Sequence, residues 1–226
     1  MPLKRIQPPQ KGIAPQLRRS FTPLEGEHGT WEQYWELVSP RLKARSEGFK
    51  VIFDHLEKHF HIACPPVIVE TGTLREPHNY EGDGCSTLLF DTFIEYFDGK
   101  LCSVDIDPDA CLLAAESTMN AEVINSDSVA YLNSFQDEID ILYLDSYNIE
   151  DWNFDWPAST HHLKELFAAY NNLSPGSLVI IDDNVRNPHT NNKMGKGRVV
   201  REFLGLTGKA TLLHDGYQEI WAWHEG

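Results

Sequence analysis

The sequence predicts an α/β fold built on a mainly parallel sheet, and three observations carry that prediction. From residue 66 onward, short apolar runs alternate with amphipathic segments of helical length, and strands separated by helices imply crossover connections between parallel neighbours. Five apolar runs end in acids: Glu70 after VIV, Asp105 and Asp107 in SVDID, Asp127 after VINS, Asp145 after ILYL, and Asp182 with Asp183 after LVII. A chain of 226 residues, 41% hydrophobic, suits one such domain with an additional N-terminal element.

Taken in order, residues 1–25 are rich in Pro, Arg, Lys and Gln and read as an extended arm without its own core. Residues 26–62 read as a helical cover. Thr30 is placed to cap and Glu32 lies in the first turn. Trp31, Tyr34, Trp35 and Val38, then Val51, Ile52, His55, Leu56 and Phe60, recur at helical spacing, with Pro40 dividing two helices. The pair is expected to cover the domain or to act as a lid. Residues 63–226 form the main domain. PPVIVETG reads as a strand and STLLFDTFIEYF as a helix with Ser86 as cap. KLCSVDIDPD is a strand, PDACLLAAESTM a helix, AEVINSDS a short strand and VAYLNSF a short helix. IDILYLDS is a strand and STHHLKELFAAYNNL a helix capped by Ser159 or Thr160. SPGSLVIIDDN is a turn and strand, GRVVREFLGLTG a helix closed by Gly208, and ATLLHDGYQEIWAW one or two strands.

Composition narrows the partners. The formal net charge is −15, from 34 acidic and 19 basic residues; this opposes a nucleic-acid partner, which needs clustered Lys and Arg. Four cysteines without a CxxC pair read as buried free thiols in a reducing setting. No apolar run suits a signal peptide or the ~18 residues of a membrane span, so a cytoplasmic protein with no membrane partner is expected. A homodimer is compatible with the sequence.

Ligands of open parallel sheets bind beyond the carboxyl ends of the strands, where these acids fall. Gly72 lets backbone approach a ligand closely, and an acid ending the second strand can accept ribose hydroxyls. A dinucleotide site requires G-x-G-x-x-G, yet Gly72 is followed by TLREPHNYEG, with the next glycines at Gly82 and Gly84. Glu70 would repel a pyrophosphate and tolerate a sulfonium and an amino group. S-adenosylmethionine therefore fits better than a nicotinamide cofactor.

On these motifs the chain, from Pro66 to its end, resembles the class I S-adenosylmethionine-dependent methyltransferases. That resemblance implies a Rossmann-like, doubly wound sheet closed by a C-terminal antiparallel hairpin, here DGYQEIWAW. It implies that Glu70, Gly72 and Thr73 lie near the methionine moiety, Asp105 at the ribose, Asp127 and Ser128 near the adenine, and Asp145 beside the transferred methyl, with Ser86 in the same cofactor-binding set. LYLDS…SPGSLVIIDDN is further similar to the metal-dependent small-molecule O-methyltransferases. Similarity to the catechol type implies Mg²⁺ on Asp145, Asp183 and Asn184; similarity to the sugar and macrolide type implies Asp182 with Asp183. Such an ion takes oxygen ligands and lowers the pKa of a bound hydroxyl. The implied activity is metal-assisted O-methylation of a small hydroxylated acceptor.

The chain departs from that pattern in two places. The segment from Gly72 to Gly84 is long and brings Glu76, His78, Tyr80 and Asp83 near or over the site. The lysine that follows the fourth-strand acid in catechol-type enzymes is replaced by Ser146 and Tyr147. His161 and His162, at the expected start of a helix whose dipole disfavours imidazolium, are candidate bases beside Asp145. Tyr147, Trp152, Phe154 and Trp156 are expected to wall a substrate pocket or to pack on the N-terminal helices. Lys196 and Arg198 in NNKMGKGR either contact an acidic substrate group or open the next helix. DSYN stands where base and amide N-methyltransferases carry Asn/Asp-Pro-Pro-aromatic, against base methylation. The alternatives are a metal-independent methyltransferase using His161 or His162 as base, and a non-catalytic adenosyl-binding module.

Overall fold

The computed structural model describes residues 4–5, 29–83 and 85–224. The predicted arm thus lies outside the described residues except for β1 (Lys4–Arg5), which pairs antiparallel with one sheet edge. Alternating burial and helical spacing then yield α1 (Trp31–Val38) and α2 (Ser46–His59), joined by two short 3₁₀ turns around Pro40. Thr30 caps α1 reciprocally with Gln33, each side chain accepting the other's backbone N–H at 3.4 and 3.1 Å.

The sheet contains β2 (Val67–Thr71), β3 (Lys100–Asp105), β4 (Glu122–Asn125), β5 (Ile139–Leu144), β6 (Leu173–Ile181), β9 (Ala210–Asp215) and β10 (Glu219–Trp223). With β1 the order is β1-β4-β3-β2-β5-β6-β10-β9. The strands from β4 to β6 are parallel, and β10 and β9 close the other edge as the expected antiparallel hairpin. Parallel strands buried on both faces need continuous apolar runs, and Ile141, Leu142, Tyr143, Leu144, Leu178, Val179, Ile180 and Ile181 are all fully buried.

Helices cover both faces. On one, α1, α2, α3 (Ser86–Phe97) and α4 (Pro108–Ser117) share a core of Trp31, Phe49, Phe53, Phe90, Phe93 and Tyr143. On the other, α5 (Ser128–Ser134), α6 (Trp156–Ala169) and α7 (Arg198–Thr207) pack Leu132, Leu166, Val200 and Leu204 on Val69, Leu142 and Val179. Helices α1 and α2 are thus partners in the main core. The sheet reverses direction between β2 and β5, which opens a crevice at their carboxyl ends.

Three local expectations are corrected. Ser86 is the first residue of α3 and not its cap; Cys85 precedes it in a left-handed conformation without a side-chain cap. Helix α6 starts at Trp156, with Pro157 in its first turn, before the expected Ser159 or Thr160. Cys64 is exposed, while Cys85, Cys102 and Cys111 are buried. The basic segment after β6 forms a second small sheet, β7 (Asn184–Arg186) with β8 (Lys193–Gly195). Among the described residues no helix is long and apolar enough to cross a membrane.

Candidate active site

The carboxyl ends of β2, β5 and β6 are tied side by side. Asp145 N–H donates to Thr71 O at 2.9 Å and Asp182 N–H to Leu144 O at 3.1 Å, while Gly72 N–H reaches Val104 O at 2.8 Å. Gly72 has φ of 85°, and a Cβ there would stand 2.7 Å from Asp145 O. Only glycine fits this turn, because a side chain meets backbone on one side and strain on the other. A cavity of about 510 Å³ opens here, lined by Gly72, Thr73, Ser86, Asp105 and Asp145 among others. That volume suits a small ligand or cofactor.

Asp105 is fixed at the rim. Its Oδ2 accepts Thr73 N–H at 3.1 Å and its Oδ1 accepts Asp107 N–H at 2.9 Å. Ile106 and Asp107 extend the same wall; Ile106 is 73% exposed, an apolar face open to a ligand ring. The opposite wall carries Tyr147 and Phe154, 52% and 64% exposed, so two of the loop aromatics do face the cavity, and Trp156 stacks under Arg198 at 4.3 Å. From the segment after Gly72, Arg75 and Asp83 reach the cavity; Arg75 ion-pairs with Asp83 at 3.1 Å and donates to Asn148 at 2.6 Å. Tyr80 is buried in the core instead.

Glu70, Asp127 and Ser128 do not line the cavity. Glu70 is fully buried, its Oε2 accepting from Thr87 at 2.7 Å and Ser103 at 2.6 Å. Burial pushes its carboxyl up to about 7, against the pull of those hydroxyls. Asp127 caps α5 through Ala130 N–H at 2.8 Å, and Ser128 Oγ lies 3.1 Å from His161 Nε2. The early start of α6 carries His161 and His162 into its second turn and off the cavity. His162 is fully buried, Nδ1 on Ala158 O at 2.7 Å, and burial lowers it to about 4. His161 pairs with Glu165 at 3.3 Å, a hydrogen bond that raises its pKa.

Asp145, Asp182 and Asp183 do converge: one carboxylate oxygen from each lies within 4.8 Å of the others. Of the three, only Asp145 lines the cavity. Their counter-charges are side chains of this chain. Lys196 Nζ, fully buried, lies 2.6 Å from Asp145 Oδ1 and 2.9 Å from Asp183 Oδ2. Arg45 lies 2.7 Å from Asp182 Oδ2 and 3.0 Å from Asp183 Oδ1. Tyr143 and Tyr217 donate to Asp182 and Asp183 at 3.0 and 2.7 Å. Burial raises the Asp145 carboxyl, the Lys196 ammonium opposes it, and the other two acids add to the rise, leaving it at about 8. Asn184 turns away from the acids: its Oδ1 accepts Gly197 N–H at 2.8 Å and its Nδ2 donates to Ile181 O at 2.8 Å. The acids therefore have the placement a divalent ion would need, but their donor set does not fit one, because N–H and O–H groups already occupy both oxygens of Asp182 and of Asp183 and Oδ1 of Asp145.

Arg45 carries a sequence signal that pattern reading passed over. It sits on the stripe Leu42, Phe49, Ile52, Leu56 at three- and four-residue steps, where an arginine must find a buried partner.

No sequence-family profile and no curated protein sequence matches this chain. Solved structures do. The methyltransferase PaMTH1 of Podospora anserina, bound to SAH, is 15% identical with a TM-score of 0.52, over 99% of this chain and 100% of that one. The N-methyltransferase NodS of Bradyrhizobium japonicum WM9 is 13% identical with a TM-score of 0.51, over 80% and 96%. MycE, from the mycinamycin biosynthetic pathway and in complex with Mg and SAH, is 14% identical with a TM-score of 0.53, over 82% of this chain. This chain spans about half of MycE, 53% of its length. The likeness establishes a Rossmann-like methyltransferase fold.

Proposed function

We propose that the protein is an S-adenosylmethionine-dependent methyltransferase acting on a hydroxyl of a small acceptor. The observation that carries this reading is the meeting of Gly72, Asp105 and Asp145 on one cavity at the sheet's reversal point. When bound, the cofactor supplies an electrophilic methyl group. Asp105, held by two backbone N–H groups, is set to accept the ribose hydroxyls, and Gly72 leaves room for the methionine portion. Tyr147 and Phe154 offer an apolar wall for the acceptor. Asp145 is the acid of the cluster that faces the cavity and is the base this reading assigns, in preference to the enclosed histidines.

Metal-assisted transfer is the second reading, favoured by the convergence of the three acids and by the likeness to Mg-bound MycE. It requires Lys196 to leave its position. Transfer of labelled methyl from the cofactor to panels of phenols, sugars, polyketide hydroxyls and amines tests the reading, with and without EDTA. Labelled methyl ethers formed despite EDTA are expected. Products only from amines would overturn the O-methyl assignment, and transfer abolished by EDTA and restored by Mg²⁺ would favour the second reading. Cofactor binding with no transfer to any panel would leave a non-catalytic adenosyl-binding module.

A further inference from the structure

We propose that Lys196, seconded by Arg45, holds the place that a divalent ion would need in the acid cluster, so that Asp145, Asp182 and Asp183 form a metal-free, internally neutralised site. The inference concerns the same acids as the second reading above, but its test needs no turnover, so its failure is distinguishable from failure of the methyl-transfer proposal.

Donor counting supports it. An ammonium has three donors, and Lys196 Nζ has three acceptors: Asp145 Oδ1 at 2.6 Å, Asp145 O at 3.0 Å and Asp183 Oδ2 at 2.9 Å. Arg45 uses all three of its nitrogens, on Asp182 Oδ2, Asp183 Oδ1 and Glu81 O. Asp182 Oδ1 accepts Asp183 N–H at 2.9 Å. Every oxygen of Asp182 and Asp183 thus receives an N–H, and Asp145 Oδ1 does as well. Mg²⁺ demands near-octahedral oxygen ligands at close range, and those lone pairs point at protons here. Charge agrees: with the Asp145 carboxyl raised, the three acids and two side-chain cations carry a net charge between −1 and 0, and a divalent ion would make the buried site positive.

The lysine is built into position. Gly195 has φ of 115°, and any Cβ there would collide with Asp183 O. Lys196 N–H then donates to Asp183 O at 3.2 Å, Gly195 N–H to Asp155 Oδ2 at 2.8 Å, and Gly197 N–H to Asn184 Oδ1 at 2.8 Å. The Gly-Lys-Gly turn is thereby clamped against residues 183–184. Arg45 is clamped in turn, its guanidinium lying 4.6 Å from the centre of the Tyr217 ring.

Mn²⁺ titration of the full chain, followed by the electron paramagnetic resonance of free Mn²⁺, tests this. The wild type and Asp183→Asn are expected to take up Mn²⁺ equally up to millimolar concentration; Asn tolerates the left-handed backbone at position 183, so this variant keeps the turn. Lys196→Gln, if it folds, is expected to gain one Mn²⁺ equivalent and a raised melting temperature with Mn²⁺. Stoichiometric uptake by the wild type that Asp183→Asn removes would overturn the proposal. A folded Lys196→Gln that gains no ion would do the same. If Lys196→Gln does not fold, the comparison of wild type with Asp183→Asn decides alone.

Discussion

Gly72 is the residue on which the cavity's shape depends most sharply. Its positive φ and the 2.7 Å approach of Asp145 O leave no room for a methyl group. Gly72→Ala is expected to destabilise the fold by about 1–3 kcal/mol and to weaken binding of S-adenosylhomocysteine at least ~10-fold, or about 1.4 kcal/mol. Calorimetric titration with wild-type affinity would show that the turn relaxes harmlessly. Asp105→Ala is expected to cost little stability, since it frees one exposed and one part-buried backbone N–H, while costing affinity by about 10- to 100-fold. Gly72, Thr73, Asp105 and Asp145 were legible as cavity-lining residues because a position at or just past a strand end puts a residue at the crevice; Ser86 lines it from the start of α3. Lys196 was not, because its role depends on β7 and β8 folding back over the β6 end. That hairpin is built from polar and glycine-rich sequence with no alternation to announce it.

At the scale of elements, the start of α2 is coupled to the end of β6 through Arg45. Arg45 and Asp182 are both buried, and removing one partner of a buried pair leaves an uncompensated charge. Arg45→Met is expected to cost about 3–5 kcal/mol in urea unfolding, with part of that recovered in the Arg45→Met/Asp182→Leu double variant. A loss well under ~1 kcal/mol would mean the pair is no more than a surface contact. Helix α6 yields a second prediction. Burial lowers His162 to about 4 from its usual 6.5. Between those values the folded chain binds fewer protons than the unfolded one, so stability is complete above about pH 6.5 and declines as pH falls towards 4. The loss is on the order of 3 kcal/mol. His162→Gln should flatten this part of a melting-temperature profile; an unchanged acid limb would assign the sensitivity to other groups. The displacement of both histidines from the cavity follows from one turn of helix: Pro157 starts α6 early, and a cap placed at Ser159 or Thr160 reads the same residues at the mouth of the site.

For the whole molecule, architecture and chemistry were legible to different degrees. Continuous apolar runs alternating with helices made a mainly parallel sheet legible; the doubly wound form and the closing hairpin were implied by the family resemblance, and the strand order and the reversal between β2 and β5 were read only from the structure. The neutralisation of the acids was less legible, because it joins residues 137 and 138 positions apart in the chain, and no local pattern encodes which cation meets which acid. The cavity wall around Tyr147 and Phe154 is least encoded of all, since it comes from an irregular segment.

The central claim is that the cavity at the carboxyl ends of β2, β3 and β5 binds an adenosyl cofactor, and thermal unfolding with added ligand tests it most directly. S-adenosylhomocysteine at 100 times its dissociation constant adds about 2.7 kcal/mol, a rise of several degrees that Asp105→Ala should abolish and NAD should not reproduce. A melting temperature unmoved by S-adenosylmethionine and S-adenosylhomocysteine alike, or moved equally in Asp105→Ala, would contradict it.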